Sequence, residues 1–440
     1  MNSSQLELLK NSKKFLASFN NNKFLPYGDS LFYLATYSNF IGSSILNSIS
    51  NCKNKNFFSR SITIFKDILF ILNYINYKII IPKKIISYNK IIVTWAFENN
   101  FNKDGSFKDR YFNINSKDLK ETLWFVIYLS KNNPKKIADN IVFFKPITKK
   151  SLNIFVIFKI IFKNLPYLFK NFKYFLTTIS NFNFFADILI KEIDPFVNYE
   201  VKNVVMPFEG QPFQNRLIYF LKENYPIIKT IGYIHSPPLA VPSNFIHKSN
   251  SPSQVILNGK DQLYCFTKIL GWKKSSIKVL PSYRFLKINK KFDNTVFLPL
   301  TIRNADWVLT AIKYLCNEGY MNLKNYKIKN HPAAFNSKNN INFIKSIKKL
   351  SQKLKNKNLK NKKNYSIFIG NSGGIVEALE SGAKVLQICE HPVFDIYSKN
   401  VWPSIYSKKI YDKIYLYQLK QRGNLIKFGN KNNNLKRILK

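Results

Sequence analysis

The sequence has little cysteine, little glycine and very little arginine. Its four cysteines, at positions 52, 265, 316 and 389, form no Cys-x-x-Cys pair and have no histidine at ligand spacing. This excludes a disulfide framework and a zinc module, and it favours a reducing compartment. The 14 glycines form neither a GxGxxG fingerprint nor a GxxxxGKS/T phosphate-binding loop, and an HExxH motif is absent as well. P-loop kinases and zinc proteases of the HExxH type are therefore excluded.

The scarcity of arginine decides how the charge is interpreted. Lysine and arginine together number 69 against 24 acidic residues, a formal net charge of +45, yet only seven of the basic residues are arginine. Nucleic-acid recognition relies on the planar guanidinium fork, which grips phosphates and guanine edges. The abundant lysine, asparagine, isoleucine, phenylalanine and tyrosine share A/T-rich codons, so genome composition accounts for the excess of lysine. We expect no nucleic-acid partner, and an anionic membrane surface, where each nearby lysine contributes about 1 kcal/mol, fits better.

The chain also lacks a hydrophobic run that would cross a bilayer. A spanning helix needs about 20 predominantly apolar residues, and the longest uncharged run, residues 30–52, is interrupted by serine and asparagine throughout. The N-terminal residues contain no apolar core of a secretory signal. We expect a cytoplasmic protein that contacts the inner face of the plasma membrane peripherally.

Strand and helix patterns alternate over the second half of the chain. With 440 residues, 45% of them hydrophobic, the chain can bury the cores of about two or three domains. From about residue 200, short β-branched runs alternate with helical patterns, and a second such series begins after a linker over 283–294. This predicts an α/β protein with two Rossmann-like domains, over residues 1–290 and 291–440, the second ending in a helical tail.

Residues 151–185 are a dense aromatic and aliphatic segment with lysines at positions 159, 163, 170 and 173, at helical spacing. One interpretation is a pair of core helices broken at Pro166. The other is an amphipathic surface that lies on a membrane while its lysines reach the lipid headgroups. The sequence leaves both open.

Parallel α/β sheets bind their ligands beyond the carboxyl ends of the strands. Five polar residues follow apolar strand patterns at such ends: Glu98, Glu209, His235, His331 and Ser372. Each is weak evidence by itself. Together they assign two carboxylates, two histidines and one hydroxyl to the edges of predicted sheets, and they are the first candidates for a functional site.

The most specific pattern surrounds Ser372. A strand pattern leads into Asn371, Ser372, Gly373 and Gly374, and a helix pattern containing Glu377 follows. The N–H groups that open a helix can bind an anion, and the two glycines allow a phosphate to approach the backbone closely. Glu377 can then take sugar hydroxyls of a nucleotide. The alternative is an ordinary tight turn followed by a solvated glutamate.

Two histidines precede a proline after a strand pattern. Proline holds the residue before it extended, which keeps the imidazole of His331, before Pro332, at the sheet edge. There it can donate to a phosphate or to a leaving-group oxygen. The alternative is a hydrogen-bonded loop histidine. The second dipeptide, His391-Pro392, is interpreted as structural or peripheral.

The first half of the chain supplies the candidates for the acceptor side. Glu209, followed by Gly210 at a strand end, can act as the general base for an acceptor hydroxyl. Its alternative role is to cap the following helix. His235 has the same placement and is the reserve base. Arg284, at the mouth of the linker, can face a phosphate, a carboxylate or only a carbonyl, and Glu98 is a secondary candidate.

These motifs resemble those of GT-B glycosyltransferases of bacterial surface polysaccharide synthesis, most of all the group with bacterial sialyltransferases and Kdo transferases. The match covers about residues 200–390: the His331-Pro332 dipeptide, the Ser372 turn about 40 residues later, and the Glu-Ala-Leu helix that ends before Gly382. The family's acidic-Gly motif corresponds to Glu209-Gly210, with Phe208 where the family has a first acidic residue. The turn has one hydroxyl instead of two.

The resemblance implies two domains that face each other across a cleft, and a metal-independent glycosyltransferase that needs no cofactor. Its donor is a nucleotide-activated sugar, CMP-linked in that group, and its acceptor is a surface polysaccharide or a glycolipid. Glu209 and His331 would be catalytic, and the donor-binding residues would be His331, Pro332, Asn371, Ser372, Gly373, Gly374 and Glu377. Two alternatives stay open: a CDP-linked polyol phosphotransferase of the same general fold, and a non-catalytic basic α/β protein that binds a membrane or RNA.

Overall fold

The computed structural model describes residues 2–17, 77–82, 86–119, 121–146, 181–286, 292–331, 337–353 and 364–430, together with positions 158, 162, 165, 166 and 334. Pro332 and most of the segment 151–185 lie outside these residues. Both interpretations of that segment therefore stay predictions, as does the role of Pro332.

The described helices, short ones included, are α1 (Asn2–Ala17), α2 (Asn181–Ile193), α3 (Pro212–Asn224), α4 (Lys260–Tyr264), α5 (Ala305–Asn317), α6 (Lys338–Lys353), α7 (Gly374–Glu380) and α8 (Pro392–Asp395). The strands are β1 (Tyr77–Ile80), β2 (Lys90–Ala96), β3 (Lys108–Asp109), β4 (Ile114–Asn115), β5 (Thr122–Tyr128), β6 (Ile141–Pro146), β7 (Asn203–Pro207), β8 (Lys229–Tyr233), β9 (Gln254–Leu257), β10 (Ile277–Val279), β11 (Thr295–Phe297), β12 (Lys327–Lys329), β13 (Tyr365–Ile369), β14 (Lys384–Ile388), β15 (Ile405–Tyr411) and β16 (Ile414–Leu419).

The first sheet has the strand order β1-β6-β5-β2-β7-β8-β9-β10. All its pairs are parallel except that of β1 with β6. A parallel sheet covered on both faces needs apolar side chains on both, and accordingly every residue of β5 is buried. The direction in which strands are added reverses between β2 and β7. In sheets of this kind the crevice for a ligand opens at such a reversal, and Glu209 lies two residues after the end of β7.

The second sheet has the order β12-β11-β13-β14-β16-β15. The strands β12, β11, β13 and β14 are parallel, and β16 and β15 extend the sheet as an antiparallel hairpin. Here the reversal lies between β11 and β13, so the Ser372 turn follows a strand at the switch point. The predicted α/β class with two Rossmann-like units is confirmed.

The predicted helical tail lies beyond a hairpin that the sequence did not indicate, and it stays a prediction. The described residues after α8 contain the hairpin of β15 and β16 and then an irregular segment that ends at residue 430, with no helix. β15 is the edge strand of this sheet, and of its residues only Ile405 is buried. Residues 431–440 lie outside the described residues, as do residues 287–291, which contain the predicted domain boundary. The domain limits stay a prediction.

Both ends of the described chain join the two units. In α1, Gln5 donates to the carbonyls of Val393 and Ile396 at 2.8 and 2.7 Å, next to the second sheet, and Lys13 donates to the carbonyl of Ile269 in the first unit at 3.3 Å. The segment after β16 returns to the first unit, where the N–H of Lys427 donates to the carbonyl of Asn258 at 2.6 Å. These contacts join the two units at both ends of the described chain.

Glu380, the last residue of α7, anchors that returning segment. Its buried carboxylate accepts the backbone N–H groups of Gly423, Leu425 and Ile426 at 2.5, 2.8 and 2.9 Å. Buried backbone donors have to be paired, because an unmade bond costs about 1–3 kcal/mol. One carboxylate therefore satisfies three donors in a segment that has no secondary structure of its own.

Candidate functional site

The loop after β8 brings the two sheets into contact. Its Pro237 lies against the Ser372 turn, so closely that a Cβ on Gly373 would be 3.3 Å from the proline ring. The buried hydroxyl of Tyr397 donates to the carbonyl of Pro238 at 3.0 Å, and it lies 3.4 Å from the carbonyl oxygen of Ser372. The carboxyl ends of the strands β8 and β13 therefore meet at this loop.

The same loop carries His235 to Glu209. The Nε2 atom of His235 lies 3.1 Å from Oε1 of Glu209, with the histidine side chain 1% exposed and the glutamate side chain 33% exposed. Nδ1 of His235 is buried and has no hydrogen-bond partner among the described residues. The two candidate bases that the sequence ranked separately thus form one pair, with the glutamate on the solvent side.

Local hydrogen bonds hold Glu209 in place. Its other carboxylate oxygen, Oε2, accepts from the side-chain amide of Gln211 at 2.6 Å, and its N–H donates to Oε1 of Gln214 at 3.0 Å. Gly210 has φ +67°, and a Cβ there would overlap the carbonyl oxygen of Asn244. Only glycine fits this turn without strain. The N-terminus of α3 is capped by Gln211 and Gln214, so the alternative role of Glu209 as the helix cap is not observed.

The surroundings keep Glu209 ionised. Burial raises the pKa of its carboxyl, but the hydrogen bond and charge of His235, with smaller contributions from Gln211 and Arg284, outweigh burial and hold the pKa below its usual range. Hydrogen bonds and opposite charges favour the charged form of a carboxylate. A base-competent carboxylate is therefore present at neutral pH.

This pairing predicts the acid limb of the pH–rate profile. Because the pKa of Glu209 in the folded protein lies below its ordinary value of 4.5, kcat/KM should fall only at pH values below about 4.5. His235→Gln removes the largest contribution that lowers the pKa of Glu209. We therefore expect the acid limb of the profile to move to higher pH. The pH dependence of kcat/KM for both proteins tests this. An acid limb that stays in place in the variant would contradict the role of the pair.

A ring and two guanidinium groups border the pair. The Tyr111 ring meets that of His235 edge to face, with 4.5 Å between centroids. Arg284 lies with Cζ 5.8 Å from the Tyr111 centroid, and Arg110 lies 5.9 Å from it and 4.4 Å from the centroid of Phe97. Burial and the charge of Glu209 raise the pKa of Tyr111 to about 12, so its phenol is neutral. Tyr111 and Arg110 follow the two-residue strand β3, which is too short to leave a sequence pattern.

In the second unit the Ser372 turn lies between β13 and α7, as predicted, and neighbouring side chains also require its glycines. A Cβ on Gly374 would be 2.9 Å from the ring of Phe368, and a Cβ on Gly373 would be 3.3 Å from that of Pro237. The N–H of Gly374 donates to the hydroxyl of Ser372 at 3.2 Å. The glycines therefore give room to neighbouring side chains, while their role towards a phosphate stays a prediction.

The remaining donor-side candidates lie around this turn. Asn371 donates to the carbonyl of Phe394 at 3.2 Å, and Glu377 lies partly exposed in the first turn of α7. His331 is exposed at the end of β12. Since β12 and β13 flank β11, their ends are about 10 Å apart.

Glu98 and His391 contact residues outside the pair. Glu98 is exposed after β2, and its carboxylate accepts from Asn132 at 3.3 Å in the loop after β5. His391 precedes α8 and packs against the ring of Phe394, with 4.6 Å between centroids. Its neighbour Glu390 accepts the N–H groups of Arg303 and Asn304 at 2.7 and 2.9 Å, at the start of α5. No sequence pattern indicated that last contact.

The described residues contain no cluster of three or more histidine, cysteine, aspartate or glutamate side chains that could hold a metal ion. Likewise, no helix in this part of the chain combines the length and the hydrophobicity that crossing a bilayer requires.

No family model matches the sequence, and no curated protein matches it. Among solved structures, the crystal structure of a glycosyltransferase from Rickettsia africae ESF-5 is similar over 64% of this chain and 72% of that chain, with 12% sequence identity and a TM-score of 0.29.

Proposed function

We propose that this protein is a metal-independent glycosyltransferase of the GT-B type. Its donor is a nucleotide-activated sugar, CMP-linked by resemblance of the motifs, and its acceptor is a hydroxyl of a surface polysaccharide or a glycolipid. The single observation that carries the proposal is the loop after β8. It pairs His235 with Glu209 at 3.1 Å and, two residues later, touches the Ser372 turn of the second unit.

The first unit supplies the base in this proposal. Glu209 takes the proton of the acceptor hydroxyl while the hydroxyl oxygen attacks the anomeric carbon of the donor sugar. His235 donates to the glutamate from its buried side and fixes its orientation. A third of the Glu209 side chain is exposed, so an acceptor can reach the carboxylate.

The second unit supplies the groups for the leaving nucleotide. As the new glycosidic bond forms, the bond from the anomeric carbon to the phosphate oxygen breaks, and the nucleotide leaves with the electron pair. His331 and the backbone N–H groups of the Ser372 turn stabilise the charge that develops on that phosphate. Glu377, one turn into α7, accepts hydroxyls on the nucleoside side.

A thermal-shift panel with CMP, CDP, UMP, UDP and GDP tests the donor class. A ligand at 100 times its dissociation constant stabilises the folded state by about 2.7 kcal/mol, which such a scan detects. We expect stabilisation by CMP. A preference for CDP, with transfer of a polyol phosphate in product analysis, would favour the phosphotransferase alternative. No response to any nucleotide would overturn the proposal, and strongly salt-dependent RNA binding would then favour the non-catalytic basic protein.

His331→Ala should abolish this stabilisation and the transferase activity. The side chain is exposed at the end of β12, so its removal leaves the core intact and the melting temperature without ligand unchanged. Its neighbour Lys329, also exposed at that strand, provides the control Lys329→Ala, which should keep CMP binding. Full turnover by a folded His331→Ala variant would exclude this histidine from the site.

A further inference from the structure

We propose that Arg110 and Arg284 form a binding site for an anionic group on the acceptor, next to the hydroxyl that Glu209 deprotonates. This inference rests on the proposed function and names the substrate class of that same site: an acceptor whose reacting sugar carries a carboxylate or a phosphate. The nearby Tyr111 ring provides a face for the sugar.

The two guanidinium groups lie near one ring. Cζ of Arg284 lies 5.8 Å and Cζ of Arg110 lies 5.9 Å from the centroid of Tyr111, and that ring meets the His235 ring edge to face. Arg110 comes from the segment after β3, a strand of the small β3-β4 sheet, and Arg284 follows β10 at the edge of the first sheet. Two separate elements therefore place cations near the ring that contacts His235, the partner of Glu209.

The guanidinium N–H groups of both arginines make no hydrogen bond to a described residue. The two side chains contact aromatic rings, Phe97 and Tyr111 for Arg110, and Tyr111 and Phe285 for Arg284. Both side chains are exposed, and neither guanidinium has a hydrogen bond or an ion pair with any residue that the structure describes. Stacking on a ring orients the planar fork and leaves its N–H groups available for a carboxylate or phosphate, which it can bind in bidentate fashion.

The scarcity of arginine makes this pair informative. Only seven of 69 basic residues are arginine, so lysine is the ordinary cation of this chain. Among the described arginines, Arg216 forms an ion pair with the half-exposed Asp187, and Arg422 packs against Gly382. Arg110 and Arg284 lie against aromatic rings and have no ion pair with a described residue. A lysine would supply the same charge, and what arginine adds is the fork geometry.

Anion binding also acts on the base. The positive charge of Arg284 is one of the influences that lower the pKa of Glu209. A bound anion neutralises that charge and adds a negative one, which raises the proton affinity of the carboxylate. The base thus becomes stronger when an anionic acceptor is bound, so the site favours reaction with the charged substrate over a neutral one.

Binding of matched sugars to the full chain tests the proposal. The probes are methyl glucuronide against methyl glucoside for a carboxylate, and glucose 6-phosphate against glucose for a phosphate, each measured by saturation-transfer NMR and calorimetry. We expect one charged probe to bind at least about tenfold more tightly than its neutral partner, because charge-assisted bidentate hydrogen bonds are the strong ones. The set of probes that shows the preference identifies the anionic group as a carboxylate or a phosphate. Equal affinity within both pairs would overturn the inference.

Variants connect the preference with the two arginines. Arg110→Gln and Arg284→Gln should each remove most of the preference, and Arg284→Lys should restore only part of it, because lysine has the charge without the fork. Lys108→Gln removes an exposed charge two residues before Arg110 and should leave the preference intact. A preference that survives in both glutamine variants, with melting temperatures unchanged, would also overturn the inference.

The sugar-binding test of the two arginines can fail without the nucleotide test of the proposed function failing, and the reverse also holds. The nucleotide panel reports on the second unit and does not depend on the arginines. Stabilisation by CMP with no preference for charged sugars would leave the transferase proposal standing and remove the inference alone. Failure of the nucleotide panel with a retained preference would overturn the transferase and leave an anion-binding site of another activity.

Discussion

Glu209→Gln should lower kcat by about 10²- to 10⁴-fold, the range that a general base contributes, while donor binding stays unchanged. Glutamine has the shape of glutamate and can still bond to Gln211 and His235, so the turn over 208–214 keeps its conformation. What it loses is the ability to accept the acceptor proton. Initial rates at saturating donor and acceptor, together with the CMP thermal shift, measure the two effects separately.

A second glutamate in the following helix provides the control for Glu209. Glu223→Gln changes an exposed carboxylate near the end of α3 by the same chemistry, and its kcat should equal that of the unmodified protein. If Glu209→Gln retained more than about a tenth of the original kcat, which a base contributing 10²-fold or more does not permit, the base would have to lie elsewhere in the chain. Loss of CMP binding in that variant would instead indicate a role in joining the two units.

Glu380→Ala should have the largest effect on stability. The substitution leaves the N–H groups of Gly423, Leu425 and Ile426 without an acceptor in a buried place, at a cost of about 3 kcal/mol or more, since each unpaired buried group costs about 1–3 kcal/mol. Urea unfolding measures the loss. Hydrogen exchange should show increased exchange at Leu425 and Ile426 first, because the segment after β16 has no other secondary structure.

Two further variants separate this anchor from a general loss of charge. Glu380→Gln keeps one acceptor oxygen and should have an intermediate unfolding free energy. Glu223→Ala removes a carboxylate from the surface and should change the unfolding free energy by less than about 0.5 kcal/mol. Unchanged exchange at Leu425 in Glu380→Ala would contradict the anchoring role.

The position of this anchor connects stability with the site. The segment that Glu380 holds returns to the first unit at Asn258, one residue beyond β9, and β9 is the neighbour of β8. The loop after β8 in turn carries His235 and Pro237. Loosening the returning segment therefore acts on the contact between the two units, and we expect Glu380→Ala to lower activity as well as stability.

The sequence alone was sufficient to predict the fold class and the polar residues at the ends of the strands. Short β-branched runs that alternate with helical patterns permit few architectures other than parallel α/β units. In such sheets the residue after a strand lies at the ligand-binding edge. Glu209, His235, His331 and Ser372 could be selected for that reason, because the signal is local: an apolar run, its end, and the first polar side chain beyond it.

The sequence did not indicate the hairpin near the end of the chain. β15 pairs with β16, and β16 pairs with β14, so this stretch forms strands through its partners in the second sheet. Strand formation depends on such partners more than helix formation does.

What determined the site itself was tertiary structure. Glu209 and His235 are 26 positions apart in the sequence, and they meet only because β7 and β8 are neighbours in register. Tyr111 and Arg110 reach the pair from a two-residue strand that has no recognisable pattern, and Arg284 reaches it from beyond β10. The sequence by itself determined which strand ends carry reactive groups. Only the order of the strands decided which of those groups touch, because side chains from different strands interact across a sheet whose topology no local pattern encodes.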